Sequence, residues 1–92
     1  MAEIRVRKAD KKTLDTLGVS SWPVWEKEPS VFDYSYDEEE TFYVMEGRAR
    51  VEPKGGGKAV EFGAGDIVTM PKGLECVWKI SETIRKRYRF GG

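Results

Sequence analysis

The sequence predicts an all-β fold, a small antiparallel barrel or sandwich with one short helix near its start. Three observations predict it. From residue 30 onward the apolar side chains recur with a period of two, which is the period of a strand with one buried face. Glycine and proline punctuate the chain about every 8–12 residues, as they do between short strands. Helical spacing is confined to residues 11–17, so strands do not alternate with helices.

Taken in order, Ile4-Arg5-Val6-Arg7 alternates and reads as a first strand. Asp10 is placed to cap a helix over residues 11–17, with Leu14 and Leu17 as its buried stripe and Gly18 as its stop. In 21-SWPVWEKEP-29, Trp22, Val24 and Glu26 fall on one side of an extended segment, which Pro23 restricts to a sheet edge. Phe32, Tyr34 and Tyr36 share one face of the next strand; Val31, Asp33 and Ser35 share the other. Residues 41–45 are rich in β-formers. Glu46-Gly47 marks a turn or bulge, after which Ala49 and Val51 point inward and Arg48 and Arg50 outward. Gly55-Gly56-Gly57 lies in a hairpin loop, residues 59–62 form a short strand, and 63-GAG-65 turns the chain. The apolar run 66–70 breaks at Pro71-Lys72-Gly73 and resumes over 74–80, which reads as a hairpin. Residues 84–90 are a last strand with Tyr88 and Phe90 inward, and by the same parity Lys86. That makes eight or nine short strands in one domain, residues 1–92, with no repeat or linker.

Composition narrows the function. A chain of 92 residues buries only about 60–65% of the surface its unfolded form exposes, so packing or association must support it. Sixteen basic side chains balance sixteen acidic ones, which argues against a general nucleic-acid or membrane binder. The charges segregate: residues 26–40 carry seven acidic groups against Lys27, while residues 79–92 are basic. The basic last strand is therefore placed to meet the acidic segment or an acidic ligand. A single cysteine excludes an internal disulfide and fits a reducing, cytoplasmic setting. MAEIRVRKADKK has no apolar core of a signal peptide, and no apolar run approaches the roughly 20 residues that cross a bilayer.

Two stretches carry a motif. In 40-ETFYVMEG-47 a Glu precedes a Gly by seven positions, and in 65-GDIVTMPKGLEC-76 the spacing is G-x5-P-x-G-x2-C. These resemble the two motifs of the cupin superfamily, a double-stranded jelly-roll barrel, written G-x5-H-x-H-x(3,4)-E-x6-G and G-x5-P-x-G-x2-H-x3-N. The resemblance covers about residues 20–90. Within the superfamily, 22-WPVWEKE-28, 71-PKGLECVW-78 and 85-RKRYRF-90 are similar to small single-domain cupins grouped with (S)-ureidoglycine aminohydrolase, a likeness that does not carry that activity with it. The resemblance implies a cupin barrel with a site formed around Glu40.

The departures decide the chemistry. The chain contains no histidine. Counting back from Glu40, the two histidine positions fall on Asp33 and Ser35 or on Tyr34 and Tyr36, depending on the spacing. The second-motif histidine is Cys76 and its asparagine is Ile80. Manganese, iron, nickel and zinc favour imidazoles, so Glu40 and Cys76 make a poor donor set and no cofactor is expected. Glu40 and Cys76 are the candidate catalytic residues, and the resemblance implies that both line the pocket. Cys76 has no histidine to activate it, and its plainer reading is a small buried hydrophobe. Tyr34, Tyr36, Phe42, Trp78 and Lys86 are the candidate ligand pocket, with Trp22 and Trp25 near its mouth. An inward Lys86 is placed to pair with Glu40 or with a ligand anion. The expected function is small-molecule binding at a degenerate metal site. The alternative is a hydrolase or isomerase that acts on a small polar metabolite through Glu40 and Cys76, with a weakly held divalent metal. A homodimer is expected, because a short alternating edge such as residues 4–7 is free to add to a neighbour's sheet.

Overall fold

A computed structural model describes residues 3–91. The elements are β1 (Arg5–Lys8), α1 (Lys11–Leu17), a 3-10 turn (Val19–Ser21), β2 (Val24–Lys27), β3 (Ser30–Ser35), β4 (Glu40–Pro53), β5 (Val60–Gly63), β6 (Asp66–Met70) and β7 (Glu75–Phe90). The fold is all-β with one short helix.

Two strands organise the barrel. β4 and β7 pair antiparallel along almost their whole length, from Glu40 opposite Phe90 to Pro53 opposite Cys76. The register slips between Val44 and Ala49, and there each strand turns a corner. On one side of the corner the strand order is β1-β6-β4-β7-β2. On the other, β5 pairs with residues 48–51 of β4, and β3 with residues 75–80 of β7. All pairings are antiparallel, so the two halves form the facing sheets of a jelly roll.

Gly47 makes the corner. Its φ is +95°, and a Cβ there would lie 2.2 Å from the carbonyl oxygen of Thr83 and 2.7 Å from Cα of Ile84. Only glycine lets β4 pass so close to β7 at this point. Opposite it, Ser81, Glu82 and Thr83 are all exposed on the outside of the bend.

Several sequence expectations are corrected. The two runs flanking Pro71-Lys72-Gly73 are not a hairpin: β6 pairs with β1 and β4, so β4 lies between β6 and β7. The described residues hold seven strands rather than eight or nine, because residues 41–45 and 48–52 fuse into β4 and residues 74–80 and 84–90 into β7. The helix caps are as expected: Thr13 N donates to Asp10 Oδ1 at 2.7 Å, and Gly18 adopts φ +69°. Leu14 and Leu17, however, are only half-buried and form no buried stripe. Trp22, Val24 and Glu26 do not share an environment; Trp22 is buried while Val24 and Glu26 of the edge strand β2 are exposed, and Trp25 turns inward instead.

The core lies between the two sheets. Trp78 is its hub, 2% exposed, with Phe62, Phe42 and Phe32 at ring-centroid distances of 5.4, 5.8 and 6.0 Å. Val44, Val51, Val68, Met70 and Ile84 complete it, each wholly buried. Each such side chain contributes about 1.5–3 kcal/mol of burial free energy.

Candidate functional site

The cavity opens at the end of the barrel where β2, β3, β4 and β7 converge. Cross-strand register places its walls. Trp25 and Val44 flank Lys86 from β2 and β4, Phe32 lies opposite Trp78, and Glu40 lies opposite Phe90. The volume is about 140 Å³. Its aromatic lining comes from β2 (Trp25), β3 and the residue just beyond it (Phe32, Tyr34, Tyr36) and β7 (Trp78, Tyr88, Phe90); Glu40 and Lys86 are its charged groups.

Those two groups form a buried ion pair. Lys86 Nζ donates to Glu40 Oε2 at 2.8 Å, with the side chains 6% and 3% exposed. The ammonium is also boxed by aromatic rings, with centroids 4.0 Å away for Phe42, 4.9 Å for Trp25, 5.1 Å for Trp78 and 6.0 Å for Tyr88. Ring faces are electron-rich and attract a cation. Burial pulls the Lys86 pKa below its ordinary value, and the attraction of Glu40 opposes that. Near the pair, Tyr36 Oη accepts a hydrogen bond from Trp78 Nε1 at 3.1 Å, and burial raises its phenol pKa.

The motif turn supports this wall from behind. Gly73 N donates to the Tyr36 carbonyl at 2.7 Å, and Tyr36 N donates to the Leu74 carbonyl at 2.9 Å. Pro71-Lys72-Gly73 therefore anchors Tyr36 rather than joining two paired strands.

The structure resolves which spacing applies before Glu40. Tyr34 and Tyr36 face the cavity, whereas Asp33 and Ser35 face outward; Asp33 is paired with exposed Lys54 at 2.7 Å. Of the expected pocket residues, Tyr34, Tyr36, Trp78 and Lys86 line the cavity. Phe42 does not line it, but packs beneath the Lys86 ammonium as wholly buried core. Glu40 reaches the cavity and Cys76 does not: the thiol is wholly buried, and Sγ donates to the Tyr34 carbonyl at 3.5 Å. Ile80 is core. Trp22 is buried away from the cavity, beneath Arg89 with the guanidinium 5.1 Å from its ring, while Trp25 is at the wall. Phe32, Tyr88 and Phe90 also line the cavity. Their strand parity was the signal that placed them inward.

The donors present do not fit a transition metal. Among the described residues no three of histidine, cysteine, aspartate and glutamate come together, and the carboxylate at the cavity already holds a cation from its own chain.

A two-sheet antiparallel barrel with an inward acid at its cavity and a G-x5-P-x-G turn bonded to the cavity wall defines a cupin. The chain belongs to the EutQ-like cupin domain family, which matches residues 14–88. It is similar to the crystal structure of a DUF861 family protein from Thermotoga maritima, at 44% identity over 96% of this chain and 99% of that one, with a TM-score of 0.92. The Clostridium difficile EutQ protein matches at 22% identity over 94% of this chain and 67% of its own, with a TM-score of 0.68. A putative ethanolamine utilization protein Q from Salmonella typhimurium matches at 19% identity over 96% and 68%, with a TM-score of 0.66. The last two likenesses show the fold alone. No curated protein matches the chain.

Proposed function

We propose that this cupin binds a small, largely apolar molecule with one polar end, and that Glu40 and Lys86 serve the site in place of a metal. The observation that carries this reading is the Lys86–Glu40 pair set in an aromatic wall beside the cavity. The walls offer apolar area, and the pair with the tyrosine hydroxyls offers a few convergent polar groups, the composition of a small-molecule site. A volume of about 140 Å³ is close to that of an apolar cavity that admits benzene. The ligand is therefore of that size.

Trp25 and Trp78 both line the cavity, so tryptophan emission reports its occupancy. Phenol and benzoate are suitable probes. A saturable emission change and a raised Tm are expected, with about 2.7 kcal/mol of stabilisation at a hundred times Kd. Neither effect with either probe would remove the reading. Zinc or manganese is expected to leave Tm unchanged, and a metal-dependent rise lost in Glu40→Ala would replace this reading with a metal site.

One observation favours a second reading, acid/base chemistry on a small polar metabolite. Glu40 and Lys86 can exchange a proton across 2.8 Å at the cavity wall. In that reading Lys86, rather than Cys76, partners Glu40. Turnover lost in Glu40→Gln without loss of ligand binding would support it.

A further inference from the structure

We propose that the cavity takes a small aldehyde or ketone and holds it covalently, as an iminium on Nζ of Lys86. This rests on the small-molecule reading above and names the ligand class. Of the nine lysines, Lys86 alone is buried, and it alone lines the cavity. A proton acceptor lies 2.8 Å from its nitrogen, in Glu40. Burial favours the uncharged amine that condensation requires.

The step balances within these groups. The Lys86 ammonium gives a proton to Glu40. The freed amine adds to the carbonyl carbon, a C–N bond forms, and proton transfer from nitrogen to oxygen gives the carbinolamine. Glu40 returns its proton to the hydroxyl, the C–O bond breaks, and water leaves. The product is an iminium and the carboxylate is restored; nothing is oxidised or reduced. The aromatic box then explains why the adduct persists. Phe42, Trp25 and Trp78 lie 4.0–5.1 Å from Nζ, and the faces that hold the ammonium hold the iminium in its place. The carbonyl's substituent lies against the aromatic walls of the cavity, a contact that surface lysines do not offer.

The test uses the whole chain, benzaldehyde as probe and cyanoborohydride to reduce any iminium to a stable secondary amine. Peptide mapping is expected to find the benzyl group on Lys86 at least tenfold faster than on any of the other eight lysines. Glu40→Gln is expected to slow Lys86 labelling, and Lys86→Arg, which keeps the cation, to abolish the fast phase. Benzyl alcohol cannot condense, and its binding is followed by tryptophan emission. Labelling of surface lysines with Lys86 bare, while benzyl alcohol still binds, overturns the iminium and leaves the binding site standing. Neither labelling of Lys86 nor benzyl alcohol binding overturns both.

Discussion

Cys76 stands where the motif would place a ligand, yet its chemistry is that of a core residue. Burial pushes its thiol up from 9.0 to about 11; Lys54 opposes the rise and Asp33 adds to it. At neutral pH iodoacetamide is expected to alkylate it more slowly than free cysteine, and faster alkylation would restore it as a nucleophile. Cys76→Ser is expected to cost about 1–3 kcal/mol, because the hydroxyl is stronger in its need for a partner, and Cys76→Ala less. Denaturant unfolding gives the ordering. The pH dependence follows in sign. The folded chain keeps the Cys76 thiol and the Tyr36 phenol protonated to higher pH than the unfolded chain does. The Cys76 contribution is complete below about pH 9 and is lost as pH rises toward about 11, while that of Tyr36 starts to fall only above its ordinary value of 10.0, so stability should decline as pH rises from 9. The Glu40–Lys86 pair gives another test. Removing either charge alone leaves its partner buried and costs about 3–5 kcal/mol, whereas Glu40→Gln with Lys86→Met should cost less than the sum. The inward Lys86 was legible from parity, and Glu40 from the motif. The exclusion of Cys76 from the cavity was not, because parity gives a side chain's face but not its depth along the strand.

At the scale of elements, the legible parts were those with local chemistry. Asp10 and Gly18 bracket α1 because a side-chain cap and a positive φ are properties of single residues. The long strands were not legible as such. Glu46-Gly47 and Ser81-Glu82-Thr83 carry the polar composition of turns, but here they cover the outside of a bend while pairing continues through it. Nor does the sequence around Pro71 show that β4 separates the strands it connects, since pairing partners are set by the whole sheet. The corner makes a sharp prediction. Gly47→Ala adds a Cβ against the Thr83 carbonyl and forces a positive φ on alanine, and should cost on the order of 3 kcal/mol or more. Thermal unfolding checks this; a loss under about 1 kcal/mol would mean that the corner relaxes freely.

For the molecule as a whole, the jelly roll and membership of the cupin superfamily were legible from two motif spacings and a period of two. The small-molecule ligand, the homodimer and the cytoplasmic setting remain proposals. Every side chain of the edge strand β1, Arg5–Lys8, falls on the exposed side of the fold, Val6 least so. Pairing with the same strand of a second copy would set arginines against arginines, and like charges opposite one another oppose pairing. We therefore expect a dimer through this edge to strengthen as salt rises. Light scattering at low and high ionic strength tests it, and a monomer in both would remove it.

The reach of β7 has a consequence for how the chain becomes a protein. It is the last strand of the described residues, and it pairs with β2, β3 and β4 while supplying Trp78, Ile80, Ile84 and Lys86 to the interior. Until it arrives, residues 24–70 have neither the hub of their core nor a central partner for their sheets. Loop closure between β4 and β7 joins segments far apart in sequence, which slows folding. Chains cut short within residues 75–90 should thus stay protease-sensitive, and resistance should appear in one step rather than strand by strand.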